Sequence, residues 1–428
     1  MMQLDRYLAT VAPLASSTRK LLFEGRPDDN SYSNRQVHPE NQKIATQDRL
    51  DNRRSKFERK YQLPRMHCLS PPHHRLITST NSGRVINVMQ GEIAHCTPSQ
   101  AETLVSDEAT TCHIVALWSR TLGLEGRGVN VLGTMTHIDG PGYEASIRDA
   151  VDEHVKYHSS HSEQDHTIGS EECKENSLYE ENAGRGIIEM SLHIMGGFND
   201  NEGSSIEITD DVLHTFSALS NEYSINSVTR GLLPIRMTLE TCAVVSANDD
   251  GTSRPLGRGL SMDVATGHIS LAKVEDVSIR HRSLATERSA VVASNNGVEH
   301  IAANIKSISA MGPEVTLRSV RLWASAFHSR DQKEESKLSV IHRPNRSRLC
   351  IEPFFFGPHV SVESLLECSD LELLSLTSTS PEVENPNFVV KVRESLTYMN
   401  KMNNWKVFSF DLPMEFQRVG LNGWAHYS

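Results

Sequence analysis

Two kinds of hydrophobic pattern divide this chain. Ile114 to Trp118 is an uninterrupted apolar run, and Val129 to Met135 is a second strand-like run. Runs without polar alternation mark strands covered on both faces. Ile188, Met190, Leu192 and Ile194 instead alternate with Glu189, Ser191 and His193, the period of two that a half-buried strand shows. Further strand patterns lie at Arg84–Met89, Thr241–Ser246, Val320–Phe327, Ser339–Arg343 and Leu349–Phe355. Gly259–Lys273 reads as a hairpin turning at Ala265–Gly267. From Thr209, read as an N-cap, Val212, Phe216 and Leu219 keep helical spacing. Ser361–Cys368 and Leu371–Leu376 also read as helical, and Ser378-Thr379-Ser380-Pro381 stops the chain before another helix bearing Phe388, Val392, Leu396 and Met399 on one face. Buried strands with amphipathic helices predict a layered α/β protein, not an open β-sandwich.

Elsewhere the pattern weakens. Over residues 1–80 only Leu4–Leu22 suggests a short helix and Leu21–Arg26 an edge strand or anchor. Residues 27–60 carry too few apolar side chains to fold alone and read as a polar insertion. Residues 81–428 read as one large domain, interrupted at about 149–183 by a His-, Ser- and acid-rich tract taken as a solvated loop. Within it His154 and His158 stand four apart, as zinc ligands on one helix face can, but no third ligand has a fixed spacing and no metal is assigned.

Composition narrows the classes. With 428 residues, 38% of them hydrophobic, the chain can bury a real core. A formal net charge of -11 argues against a nucleic-acid partner. No apolar run approaches the roughly 20 residues of a spanning helix, and the N-terminus lacks a secretory layout, so a cytoplasmic protein is expected, with the nucleus as an alternative and no membrane partner. Seven scattered cysteines without a CxxC pair fit free thiols in a reducing compartment.

Candidate chemistry gathers around the two apolar runs. Cys112 heads the first, after a small polar loop, which is how a nucleophilic thiol is mounted on a buried strand. The second ends in His137, Asp139 and Gly140, a base and a carboxylate at the mouth of another strand. A cysteine at a strand start is equally at home as a small core hydrophobe. His113 is the rival base, but adjacent residues on a strand point to opposite faces, so it should not reach Cys112. Gly196 and Gly197 at the end of the alternating strand would bring backbone close to a ligand or simply make a tight turn.

Four ordered blocks then carry a resemblance. Asp107-Glu-Ala-Thr-Thr-Cys112, Thr136-His137-Ile-Asp139, Met195-Gly-Gly-Phe-Asn-Asp200 and Ser378-Thr-Ser-Pro381 with Pro386-Asn-Phe388-Val389 resemble the signature blocks of the protein N-terminal asparagine amidohydrolase family. Leu21–Arg26 resembles the start of its animal members. The resemblance implies an α-β-β layered sandwich like that of the cytotoxic-necrotizing-factor group of cysteine hydrolases. It implies deamidation of an N-terminal asparagine of proteins or peptides to aspartate, with ammonia released and the product marked for degradation. On that resemblance Cys112 is the nucleophile, His137 its base, and Ser106, six residues before the cysteine, the hydroxyl that orients the imidazole.

The scheme needs neither metal nor organic cofactor, and the protein is expected to act as a monomer. Recognition of the substrate's α-ammonium calls for a carboxylate, for which Asp139, Asp107, Glu108 and Glu24 are candidates, while Thr111 and Thr110 would line the nucleophile loop. Asp139 would alternatively orient His137 or cap the turn at Gly140. Two other readings stay open: a cysteine deamidase acting on internal Gln or Asn, and a non-catalytic binding protein on the same fold.

Overall fold

The computed structural model describes residues 75–78, 84–122, 130–163, 186–200, 203–226, 233–275, 318, 337–352, 362–378, 380–401, 413–419 and 423–427. With elements numbered along the chain, the larger sheet has six strands. Their spatial order is β11 (Ser339–His342), β3 (Glu92–Cys96), β6 (Val131–Ile138), β5 (His113–Leu122), β7 (Ile187–Gly196) and β8 (Ile235–Val244). β5 pairs antiparallel with both β6 and β7, so the strand after Cys112 lies inside the sheet. A five-stranded sheet runs β1 (Arg75–Thr78), β10 (Ile269–Glu275), β9 (Leu260–Asp263), β4 (Thr103–Ser106) and β2 (Val85–Asn87). A three-stranded sheet joins β12 (Arg348–Ile351), β13 (Met414–Val419) and β14 (Gly423–Tyr427). Among the described residues the architecture is mixed α/β, with no closed barrel.

The two faces of the large sheet are covered differently. Val115, Leu117, Ile138, Leu192 and Ile194 pack with residues of α1 (Glu144–Glu163) and α2 (Ser204–Asn226). Ile114, Ala116, Met135 and Met195 pack instead with Ile86, Leu104, Leu260, Met262 and Ile269 of the smaller sheet. The same second cluster takes in residues of α3 (Val362–Glu367), α4 (Asp370–Thr377) and α5 (Phe388–Lys401). Apolar surface on both sides explains the unbroken run Ile114 to Trp118.

Most of the predicted elements within the described residues are present, including the β9–β10 hairpin, where Gly267 takes the positive φ of +73°. Three expectations need correction. The tract from 149 begins as helix, not loop: α1 runs to Glu163, and Ile147, Ala150, Val151 and Val155 give it a buried face. Those few apolar positions suffice because His154 and His158 are also buried, each ring nitrogen near a hydroxyl. Helix α2 starts at Ser204, ahead of Thr209, because Asp200 accepts the N–H groups of Gly203, Ser204 and Ser205 at its head. β7 is more than half buried, since its C-terminal half is covered on both faces. The patterns read at 1–60 and Val320–Phe327 lie outside the described residues.

Candidate active site

Cys112 closes the loop that connects the two sheets. β4 ends at Ser106 in the smaller sheet, and β5 begins at His113 in the larger one. The loop is pinned at several points. Asp107 Oδ1 accepts the N–H of Glu108 at 2.7 Å and Oδ2 accepts that of Val274 at 2.7 Å. The N–H of Ala109 donates to Arg258 O at 2.9 Å, and Ser380 donates to Thr110 Oγ1 at 2.9 Å. Glu108 adopts the positive φ of +66° and meets Lys391 Nζ at 2.5 Å. Asp107 thus fastens the loop, and burial raises its carboxyl above the usual range.

The register of the large sheet settles which side chains share a face. His137 lies opposite Ile114, and two residues further the ladder sets Asp139 opposite Cys112. Cys112, Ile114 and His137 therefore face the smaller sheet. His113 faces the helices, with Nε2 2.6 Å from Thr209 Oγ1, so it is separated from Cys112 as strand geometry predicts. Ser106 Oγ lies 2.9 Å from His137 Nδ1, in a buried contact between the two sheets. His137 Nε2 is buried with no hydrogen-bond partner among the described residues. A hydroxyl at Nδ1 with Nε2 unoccupied is the arrangement a histidine base requires.

Burial favours the neutral forms of both Cys112 and His137. Burial pushes the Cys112 thiol up, the charges of Asp139 and Glu384 push it further, and a hydrogen bond from the Thr111 side chain opposes them. Burial lowers His137 to about 4, against the raising influence of Asp139, Glu108 and Glu92. Asp139 is not the group that orients the imidazole. Its Oδ1 accepts from Tyr143 Oη at 2.5 Å and its Oδ2 from Gln90 Nε2 at 3.1 Å.

The paired glycines bring backbone close to the backbone of Cys112. Gly197 N donates to Cys112 O at 3.0 Å, and a Cβ on Gly196 would stand 2.2 Å from that oxygen. The φ of +137° at Gly196 suits glycine alone, and at Gly197, with φ +65°, a Cβ would stand 2.7 Å from Ser205 Cβ. Asn248 holds the turn, with Nδ2 donating to Gly197 O at 2.7 Å.

The family described as Protein N-terminal asparagine amidohydrolase matches residues 76–169, 173–292 and 290–426. The chain belongs to that family. It is similar to the Protein N-terminal asparagine amidohydrolases of Mus musculus and Sus scrofa, each 24% identical over 322 residues, covering 74% of this chain and 75% of the relative. The Homo sapiens protein of the same name is 23% identical over the same length. Cys112, His137 and Ser106 fall in the first matched segment, and Gly196 and Gly197 in the second. Glu24 lies outside both the matched and the described residues.

Sequence reasoning missed Glu384 and Ser380. Ser378 does stop a helix, since its N caps α4 on Leu374 O, but Ser380 also reaches the loop before Cys112 at Thr110. Ser378 Oγ donates to Glu384 Oε1 at 2.7 Å, fixing a half-buried carboxylate whose charge acts on Cys112. The signal was a run of hydroxyls longer than a helix cap needs.

Proposed function

We propose that this protein hydrolyses the side-chain amide of an N-terminal asparagine in protein or peptide substrates, giving aspartate and ammonia through a thioester on Cys112. The observation that carries this reading is the Ser106–His137 contact, which leaves His137 Nε2 unoccupied on the sheet face that also bears Cys112 in a chain of this family. The helix layer, large sheet and small sheet support an α-β-β sandwich like that of the cytotoxic-necrotizing-factor group. Aspartate made in this way would be open to arginylation and degradation, in the cytoplasm or nucleus.

In the reaction His137 Nε2 takes the thiol proton as sulfur attacks the carboxamide carbon. Backbone N–H groups of the loop, including that of Cys112, hold the oxyanion. The imidazolium protonates the amide nitrogen, the C–N bond breaks and ammonia leaves. His137 then deprotonates water, which adds to the thioester, and the C–S bond breaks to restore the thiol. Ser106 keeps the ring in one tautomer throughout.

Asp139 and Glu384 give this scheme its selectivity. Carboxylates around a thiol disfavour the thiolate, but they suit an α-ammonium, and a bound ammonium would cancel their effect on the sulfur. A blocked N-terminus would then lose both binding and activation. Ammonia release from Asn-first, Gln-first, internal-Asn and acetylated Asn-first peptides tests this. Activity confined to free Asn-first peptides, abolished in Cys112→Ser, is expected. Indifference to acetylation would point to an internal-residue deamidase, and silence on all four peptides to a binding protein.

A further inference from the structure

Glu92 and Arg318 form an ion pair in the interior, where none is needed for solubility. Their exposures are 0% and 2%. Arg318 Nε donates to Glu92 Oε1 at 2.9 Å, Nη2 donates to Glu92 Oε2, and Nη2 also donates to Asn87 O at 2.7 Å. Met89 N donates to Glu92 Oε2 at 2.9 Å, while Arg318 Nη1 has no partner among the described residues. Burying such a pair is costly, and apolar residues of the same volume often stabilise a fold as well or better. Stability alone therefore does not account for it.

Its placement does. The β3–β6 register pairs Ile93 with Thr136, so the next residue, Glu92, stands opposite His137. Thr136 Oγ1 donates to Glu92 O at 2.9 Å, and Gly91 N donates to His137 O at 2.8 Å. The β2–β4 register pairs Asn87 with Val105, the residue before Ser106, and Val88 N donates to Val105 O at 2.7 Å. One guanidinium thus binds the strand neighbour of His137 in the large sheet and, in the small one, the strand neighbour of Val105, the residue before Ser106.

We propose that the Arg318–Glu92 pair is a positioning device for the active site, a rigid cross-sheet clamp that sets the contact between Ser106 and His137. The proposal rests on the reading of Cys112, His137 and Ser106 as the reacting group. Arg318's planar fork supplies two fixed directions to Glu92 and a third bond to Asn87, which a lysine cannot reproduce. The charged groups acting on His137 are Asp139, Glu108 and Glu92, and Glu92 is the one that Arg318 holds.

The test compares Arg318→Lys, which keeps the charge, with Glu92→Leu/Arg318→Met, which removes both charges. In each variant that folds by circular dichroism, kcat on Asn-first peptides should fall about tenfold or more with KM within about twofold, because misplacing a catalytic group by a fraction of an ångström acts on the transition state. The rate of Cys112 alkylation by iodoacetamide at pH 7 should fall in parallel. Alkylation needs no substrate, so it reports on the clamp even if the proposed peptide activity is absent. In a Ser106→Ala background, Arg318→Lys should cost little further, since both act through one contact. Wild-type kcat and alkylation in a folded variant, or losses that add in the Ser106→Ala background, would overturn the proposal.

Discussion

His137 carries two constraints that pull apart, and their balance predicts a pH profile. Burial lowers its imidazole to about 4, while Asp139, Glu108 and Glu92 pull it back up. As the proposed base, His137 must be neutral to accept the thiol proton. On the proposed mechanism, activity is therefore expected above about 4 and should fall tenfold per unit as pH drops below it. Initial rates of peptide deamidation from pH 3.5 upward should show this acid limb, and a limb near 6.5, the value of a solvated histidine, would contradict it. At this scale the sequence was partly legible. The places of Cys112 and His137 at strand ends and the turning away of His113 could be read from strand starts and alternation, because local geometry fixes them. The work of Asp107 could not, since its carboxylate is committed to Val274, a residue 167 positions away.

Helix α1 shows how an element can hide in a polar composition. On its inward face His154 and His158 join a chain of rings and hydroxyls shared with strands β3, β5 and β6. His95 Nδ1 lies 2.7 Å from Thr134 Oγ1, which lies 2.7 Å from His154 Nε2. His154 Nδ1 is 2.6 Å from Ser119 Oγ, which is 2.7 Å from His158 Nε2, and His158 Nδ1 ends the chain 2.8 Å from Thr121 Oγ1. Each hydroxyl between two rings has one proton to give, so the chain is satisfied when every ring is neutral and each donates once. Burial lowers His95 to about 3 and His154 well below its usual value. Folded values below the unfolded one mean that the unfolded state gains protons first. Stability is full above about 6.5 and declines as pH falls toward the folded values, by about 1.4 kcal/mol per pH unit for each ring. Urea unfolding at pH 7, 6 and 5 should show this decline. His154→Leu should be less stable at pH 7 by about 1–3 kcal/mol, having left Ser119 and Thr134 short of a partner, yet should show a shallower slope. An unchanged slope would remove His154 from the account.

Across the whole molecule, the decisive contact joins the two sheets. Ser106 ends a strand of the smaller sheet, His137 lies within one of the larger, and 31 residues separate them. Ser106→Ala should lower kcat by about 100-fold, since the imidazole loses its orienting partner, and Cys112 alkylation should slow with it. Steady-state peptide assays beside a thiol titration would check this, and a rate within twofold of wild type would remove Ser106 from the mechanism. The sequence by itself determined what depends on neighbours along the chain. Unbroken apolar runs specified strands buried on both faces, a glycine pair specified a turn that side chains cannot make, and the ordered blocks specified the family. Only the tertiary structure decided what depends on distance in space. Sheet order set Glu92 opposite His137, the turn at Ser380 reached Thr110, and the interior sheltered the Arg318–Glu92 pair. Periodicity records which face of an element is buried, whereas the partner met on that face is chosen by how the layers stack.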